Sequence, residues 1–200
     1  MKIIGLTGGI ASGKTEVAKI FKKYGFYVIN SDEIGHNLLS NEEIKRKIIE
    51  MYGNDILFNG QIDRKKLGEI VFSNVEERNR INQLIHPFVI ADIINRVQQA
   101  LEQGHKIVIV ESALIGEYED RLPEWLNQLI LVVCPEEVRI QRLMNSRNLS
   151  YEEAKQRVLS QKNPDEKIPI AKWIINNNND FIKLEKEVER IVKEISDVTG

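Results

Sequence analysis

The sequence has few of the features that characterise secreted or membrane proteins. It contains one cysteine among 200 residues, so no intramolecular disulfide can form, and this residue, Cys134, follows an apolar run that predicts a core position. No apolar run approaches the roughly 18 residues that a membrane-spanning helix needs, and no export signal opens the chain. We therefore expect a cytoplasmic protein with no membrane partner.

An excess of positive charge is also lacking. The 28 basic residues are balanced by 30 acidic ones, for a net charge of −2, and no basic stripe alternates with aromatic residues. We therefore expect no nucleic-acid partner, and any phosphate must be bound by a local cluster. With 42% hydrophobic residues, the chain can bury one good core, which predicts a single domain.

Short, β-branched apolar runs alternate with segments of helical periodicity. This alternation predicts an α/β fold with a mostly parallel, five-stranded sheet and helical crossovers. The predicted strands lie at Ile3–Leu6, Tyr27–Ile29, Ile107–Val110, Leu129–Val133 and Trp173–Ile175. Helical periodicity is clearest at residues 17–24, 90–101 and 184–195, with Gly25 and Gly104 where the first two of these helices should end.

Two segments do not fit a simple alternation of strands and helices. Residues 33–104 are too long for one crossover, and their helical patterns break at Gly53-Asn54-Asp55 and His86-Pro87, which predicts a helical insertion. Residues 142–170 are polar and predict a mobile lid, although an ordinary pair of solvated helices fits the same pattern. The core would then comprise residues 1–32, 105–141 and 171–200.

The strongest motif is a glycine-rich segment between the first predicted strand and the first predicted helix. Gly8-Gly9-Ile10-Ala11-Ser12-Gly13-Lys14-Thr15 matches G-x-x-x-x-G-K-[ST], the P-loop. Its glycines let backbone N–H groups surround phosphate oxygens, Lys14 would reach the β- and γ-phosphates, and the Thr15 hydroxyl would bind Mg²⁺. The predicted nucleotide-binding residues are Gly8, Gly9, Ala11, Ser12, Gly13, Lys14, Thr15 and the following Glu16. The alternative is a glycine-rich turn with a solvent-facing lysine.

Carboxylates follow two other predicted strands. Asp32 comes after the second strand, and the carboxyl ends of parallel strands face the phosphate site, so Asp32 could accept the proton of an attacking hydroxyl. It could equally be an N-cap for a helix that starts at Glu33. Glu111 ends the third strand, where it could hold metal-bound water or simply face solvent. A GTPase is disfavoured, because no N-K-x-D motif follows.

These segments resemble the bacterial dephospho-CoA kinase family over nearly the whole chain. The order and spacing of the matching residues agree throughout. The matching residues are Gly5-Leu6-Thr7-Gly8-Gly9-Ile10, Asn30-Ser31-Asp32, Gly60-Gln61-Ile62-Asp63-Arg64, Leu67, Val71-Phe72, His86-Pro87, Glu111 to Glu117, Arg142, Arg147, Gln161, Ala171 and Ile174-Ile175-Asn176-Asn177.

The resemblance implies a P-loop NTPase three-layer sandwich, with the insertion binding the acceptor. It implies transfer of phosphate from ATP, with Mg²⁺, to the ribose 3′-hydroxyl of dephospho-CoA, the final step of coenzyme A biosynthesis. Asp32 becomes the general base, Lys14 and Arg142 act on the phosphates, and Arg147 and Asn177 bind ATP. The implied acceptor-side residues are Thr7, Asp32, His36, Arg64, His86 and Glu111.

Several of these assignments keep a simpler alternative. Arg64 follows a predicted N-cap, Asp63, and could be a surface residue of the first helical turn. His86 precedes Pro87, which would start a new helix, so it could hydrogen-bond locally. Asn177 could be a turn residue.

The chain also departs from the family pattern at three places that matter for the site. Ala11 replaces a glycine, which is tolerable only if φ there is negative. Asn30 replaces an aspartate, which reduces any metal role of that position. Ser146 replaces the second lid arginine, and Arg147 comes one residue later. The rival functions are another small-molecule kinase and a non-enzymatic nucleotide-binding regulator; the oligomeric state is not predicted.

Overall fold

The computed structural model describes residues 2–117, 121–178 and 180–197. The chain divides into two compact units. The first unit consists of Met1–Asn30 and Val97–Gly200, and the second of Ser31–Arg96. Within the described residues, no helix is long and apolar enough to cross a membrane.

A parallel five-stranded sheet forms the centre of the first unit. Its strands are β1 (Lys2–Gly8), β2 (Tyr27–Asn30), β5 (Ile107–Glu111), β6 (Gln128–Val133) and β7 (Trp173–Asn176), and their order in the sheet is β2-β5-β1-β6-β7. All five predicted strands are confirmed. The inner strands are buried along most of their length, since helices cover both faces of a parallel sheet.

Two helices with apolar stripes cover the sheet together. Helix α1 (Lys14–Lys23) and the closing helix α8 (Phe181–Asp197) pack side by side in the main core. Gly25 and Gly104 have φ values of 83° and 87° just past α1 and just past the helix that ends at Glu102, as predicted for residues that end helices. The predicted stripe of α8 is confirmed, because its five core residues are all buried: Leu184, Val188, Ile191, Val192 and Ile195.

The segment after β6 forms two helices and a 3₁₀ turn. Helix α6 (Glu136–Arg147) and helix α7 (Tyr151–Leu159) share a small core, against which Ile10 and Ala11 of the glycine-rich loop also pack. The 3₁₀ turn covers Pro164–Ile170. The predicted lid begins within α6; its mobility stays a prediction.

The second unit has a core of its own, built mainly from isoleucine and leucine. Its helices and strands are α2 (Ser31–Leu38), α3 (Glu42–Tyr52), a 3₁₀ turn at Asn54–Ile56, β3 (Leu57–Phe58), β4 (Gln61–Ile62), α4 (Arg64–Ser73) and the greater part of α5 (Val75–Glu102).

The prediction of a helical insertion missed two short strands, β3 and β4, which pair antiparallel. A two-residue loop, Asn59-Gly60, joins them, and both residues have positive φ, 48° and 75°. This is the geometry of a type I′ turn, for which Asn-Gly is the preferred sequence. The signal for the hairpin was therefore present, but the strands are too short to show an alternating pattern.

The predicted break at His86-Pro87 was also wrong. Pro87 lies inside the 28-residue helix α5 and does not start a new one. Proline removes one helical hydrogen bond and costs about 3 kcal/mol in a helix interior. Burial of Ile81 before it and Ile93 and Val97 after it outweighs that loss, because each buried side chain contributes about 1.5–3 kcal/mol.

Candidate active site

The loop between β1 and α1 lies at the carboxyl edge of the sheet. Gly13 has a φ of 95°, and a Cβ there would run into the side-chain amide of Asn177. At Gly8, a Cβ would run into the carbonyl oxygen of Val132. Both positions therefore require glycine, because neighbouring atoms approach the backbone closely.

Lys14 is folded into this loop. Its side chain is 9% exposed, and Nζ donates to the carbonyl oxygens of Gly8 at 2.8 Å and Gly9 at 3.2 Å. The alternative of a solvent-facing lysine is therefore wrong. The ammonium group already lies within the loop, where phosphate oxygens could exchange with these carbonyls.

A buried carboxylate joins the first turn of α1 to the end of β2. Glu111 is 5% exposed, which excludes the solvent-facing alternative. Thr15 donates its hydroxyl to Glu111 Oε1 at 2.9 Å, and the Asn30 amide donates to Oε2 at 3.2 Å. Asn30 thus keeps a hydrogen-bonding role without the charge of an aspartate.

The donor set of this cluster fits Mg²⁺. Within the described residues no group of three or more His, Cys, Asp or Glu residues could hold a metal ion. Mg²⁺ does not need such a group, since it usually takes one or two protein oxygens and completes its shell with water and substrate phosphate. Thr15 and Glu111 supply two oxygens of the right kind.

Arg142 and Asn177 hold the loop from its other side. Arg142 donates from Nη1 to the Ala11 carbonyl at 3.0 Å and from Nη2 to Asn177 Oδ1 at 3.1 Å. Asn177 is 5% exposed and donates to the Ser12 carbonyl at 2.8 Å. The structure therefore brings both predicted residues to the loop, and Asn177 is more than a surface turn.

Ala11 contradicts the expectation of a negative φ. Its φ is 58°, in the left-handed region, which costs an L-residue roughly 1–2 kcal/mol. Arg142 binds its carbonyl, and its methyl group packs against the core that α6 and α7 share. These contacts hold the residue in a conformation that glycine would adopt more readily.

The other residues predicted for the site in the first unit are placed as follows. Thr7 is fully buried and donates its hydroxyl to the Ile115 carbonyl at 3.2 Å. Glu16 is exposed and pairs with Lys19 at 2.7 Å. Arg147 is exposed in the last turn of α6. Ser12 is fully buried, and its hydroxyl has no hydrogen-bond partner among the described residues.

The predicted acceptor-side residues other than Thr7 and Glu111 belong to the second unit. Asp32 is exposed in the first turn of α2, which begins at Ser31, so the N-cap alternative for a helix starting at Glu33 is wrong. Arg64 opens α4 after its N-cap Asp63, as predicted, and donates to the His36 carbonyl at 3.1 Å.

His86 is exposed and lies in the middle of α5. Its role stays a prediction, as do the roles of Asp32, His36 and Arg64.

One buried residue beside the loop was not predicted from the sequence: Arg139 on α6, which is 5% exposed. Its spacing of three residues before Arg142 puts both on one face of the helix. From that spacing, the position of Arg139 on the same face as Arg142 could have been predicted.

Comparison with known proteins agrees with this geometry. The family model described as dephospho-CoA kinase matches residues 2–183. The dephospho-CoA kinase of Dehalococcoides mccartyi is 37% identical over 198 residues, covering 97% of this chain and 98% of that protein. The dephospho-CoA kinase of Geobacillus kaustophilus is 35% identical over 193 residues, covering 96% and 95%.

Solved structures are also similar. Dephospho-CoA kinase from Campylobacter jejuni is 32% identical with a TM-score of 0.62, covering 97% of each chain. TT1252 from Thermus thermophilus has a TM-score of 0.79 at 28% identity, covering 96% of this chain and 97% of that one. Shikimate kinase from Acinetobacter baumannii, at 16% identity and a TM-score of 0.52, shares the fold alone. The fold is therefore the α/β fold of the P-loop kinases.

Proposed function

The chain belongs to the dephospho-CoA kinase family, and on that premise we propose that its loop at residues 8–15 binds ATP and positions the γ-phosphoryl group for transfer to the ribose 3′-hydroxyl of dephospho-CoA. Its activity is the ATP-dependent phosphorylation of dephospho-CoA, a step of coenzyme A biosynthesis. The products are coenzyme A and ADP.

The observation that carries the residue assignment is the arrangement of cations and donors around the loop. Lys14 lies inside it, and Arg142 reaches it from α6. In phosphoryl transfer the protein mainly positions the reactants and stabilises charge on the phosphate oxygens. Two fixed cations at one glycine-rich loop are suited to that task.

Lys14 is the residue that binds the β- and γ-phosphates. When ATP enters, its ammonium exchanges the carbonyls of Gly8 and Gly9 for phosphate oxygens, which are stronger acceptors because they are charged. The planar guanidinium of Arg142 can donate to two oxygens of the transferring group at once.

Asp32 is the general base. It lies two residues after Asn30, the last residue of β2, and its carboxylate is exposed. As the 3′-oxygen forms its bond to the γ-phosphorus and the bond to the leaving ADP oxygen breaks, the hydroxyl proton passes to Asp32.

Thr15 and Glu111 are the residues that would hold Mg²⁺. The ion, when bound, supplies positive charge to the β- and γ-phosphate oxygens. Glu111 also orients the Thr15 hydroxyl through its hydrogen bond.

The second unit supplies the acceptor contacts. The phosphate-bearing acceptor is contacted by the imidazoles of His36 and His86 and by the guanidinium of Arg64. Arg64 also donates a hydrogen bond to the His36 carbonyl. We propose that the enzyme acts in the cytoplasm on its two small-molecule substrates, ATP and dephospho-CoA.

The test is release of ADP from Mg-ATP with dephospho-CoA, adenosine, shikimate or no acceptor. Mass spectrometry with fragmentation of the product would locate the new phosphate. The expected result is turnover with dephospho-CoA and a phosphate on the 3′-oxygen. A phosphate at another position, or equal turnover with shikimate, would contradict the proposal.

Two variants separate the residue roles. Lys14→Ala should lose most turnover and ATP affinity. Asp32→Asn should lower kcat by about 10²–10⁴-fold while leaving ATP affinity unchanged, because general bases contribute by that order. Wild-type kcat in Asp32→Asn would exclude Asp32 as the base.

A further inference from the structure

A buried arginine on α6 has no role in the reaction described above. Arg139 is 5% exposed, and among the described residues its Nε and Nη1 atoms find no hydrogen-bond partner. A guanidinium stays protonated and carries five N–H donors, so its burial without acceptors is unfavourable. Burial accordingly lowers the pKa of Arg139. Since buried polar groups are normally hydrogen-bonded, a ligand is the expected source of acceptors for the Arg139 guanidinium.

The guanidinium lies against the glycine-rich loop. A Cβ on Gly9 would run into Arg139 Nη1, so the loop backbone and the side chain are in close approach. One helical turn further along α6, Arg142 donates to the carbonyl of Ala11 at 3.0 Å. Two neighbouring cations of one helix face are therefore presented to the same loop.

Arg139 also lines a cleft of about 590 Å³, and two other residues that line this cleft contact the glycine-rich loop. Pro164, on its wall, lies beside Gly9, and the Oε1 atom of Gln161 accepts from the Ile10 N–H at 2.6 Å. The carboxylates of Glu136 and Asp165 line the cleft as well, but both residues are exposed, so solvent screens their charge more than that of the buried guanidinium.

We infer that Arg139 is a nucleotide-binding residue that donates from Nε and Nη1 to phosphate oxygens of ATP. The inference rests on the proposed function, because it takes ATP as the ligand of the loop. Phosphate oxygens are charged acceptors that match the planar guanidinium, and the buried setting strengthens the contact. The bound nucleotide thereby satisfies donors that the protein alone leaves without acceptors.

The test measures binding without an acceptor substrate. ATP and inorganic tripolyphosphate are titrated calorimetrically into the wild-type protein, Arg139→Met and Arg190→Met. Arg190 is the matched control, since it is a surface arginine of α8 that pairs with Glu187 and Glu194. We expect Arg139→Met to bind both ligands about 10- to 100-fold more weakly, the usual effect of losing hydrogen bonds to a charged group, and Arg190→Met to bind them normally.

Three outcomes would overturn the inference. Equal affinity of wild type and Arg139→Met for both ligands would show that Arg139 does not touch the nucleotide. If Arg139→Met bound ATP more weakly but tripolyphosphate normally, Arg139 would contact the adenosine part of ATP, which would contradict the phosphate contact. Absence of ATP binding by the wild-type protein would overturn the proposed function as well, so the two failures are distinguishable.

Thermal unfolding without ligand separates binding from a purely structural role. A structural arginine predicts a lower Tm in Arg139→Met with unchanged nucleotide affinity. The binding role predicts an equal or higher Tm, because methionine removes an unsatisfied buried cation, together with weaker affinity. Arg139→Lys keeps the charge but not the planar guanidinium, so its affinity should be intermediate, and it provides the readout if Arg139→Met does not fold.

Discussion

The side-chain amide of Asn177 donates to the main-chain carbonyl of Ser12 at 2.8 Å, although 165 positions separate the two residues in sequence. Asn177 also accepts from Arg142 at 3.1 Å. One buried side chain therefore links the end of β7, helix α6 and the glycine-rich loop. The loop's shape depends on these distant partners as well as on its own glycines.

Replacing Asn177 by alanine should weaken ATP binding more than acceptor binding. The Ser12 carbonyl and the Arg142 guanidinium would each lose a partner, and an unsatisfied buried group costs about 1–3 kcal/mol. We expect the KM for ATP to rise roughly tenfold and Tm to fall. Steady-state kinetics with each substrate varied would measure this. Asn145→Ala, an exposed change on α6, is the control; equal effects of the two variants would contradict the role of Asn177.

Replacing Ala11 by glycine should stabilise the protein. Glycine adopts the φ of 58° without the clash of a Cβ, and the relief should be about 1 kcal/mol. Ala18 is buried in α1, where glycine is unfavourable, so Ala18→Gly should lower stability by about 1 kcal/mol or more. Chemical denaturation of both variants would show whether stability rises in Ala11→Gly and falls in Ala18→Gly. A loss of stability in Ala11→Gly would mean that contacts of the methyl group outweigh the backbone strain.

Introducing a second carboxylate beside Glu111 should make stability depend on pH and Mg²⁺. In Asn30→Asp the hydrogen bond to Glu111 Oε2 becomes a repulsion between two acids, which raises their pKa values above those of the unfolded chain. The folded state then binds more protons, so stability falls as pH rises through the raised pKa. We expect Tm to be lower at pH 8 than at pH 5, with recovery at pH 8 on adding Mg²⁺. Asn30→Ala should lack both effects.

Removing the charge of Glu117 should destabilise the first unit strongly. Glu117 pairs with the buried Lys167 at 3.0 Å and accepts from the Lys162 N–H at 2.9 Å. Glu117→Gln leaves the ammonium buried without its counter-charge, and breaking such a pair costs about 3–5 kcal/mol. Lys167→Met added to this variant should recover part of the loss. Denaturation midpoints of the single and double variants measure this.

The same variant should show a defined pH dependence. Burial lowers the pKa of Lys167 in the folded protein, and the carboxylate of Glu117 opposes that shift. Without the carboxylate, the folded-state pKa lies further below the unfolded one. Between the two pKa values the unfolded chain binds more protons, so the stability of Glu117→Gln should rise with pH from neutral toward 10. A flat profile would contradict the burial of a charged Lys167.

The strands and the phosphate-binding loop could be predicted because local sequence determines both. A run such as Ile107–Val110 is buried on both faces and cannot be mistaken for a surface segment. The glycine-rich loop has a fixed spacing, and Lys14 lies where that spacing predicts.

Features that depend on packing were missed. Pro87 stays inside α5 because apolar residues on either side of it are buried, which periodicity near a proline does not reveal. The helical face of Arg139 could be predicted, but its burial against Gly9 depends on where α6 packs. The positive φ of Ala11 likewise follows from contacts with α6 and α7.

The partners that hold the glycine-rich loop also set the order in which the site can be made. Arg142, Gln161 and Asn177 bind Ala11, Ile10 and Ser12, and all three partners are synthesised long after the loop has left the ribosome. A nascent chain that ends before α6 has the complete motif but none of these contacts. The site can therefore form only after the chain through Asn177 has emerged, and translation products that are truncated before Asn177 carry the motif without all of these contacts.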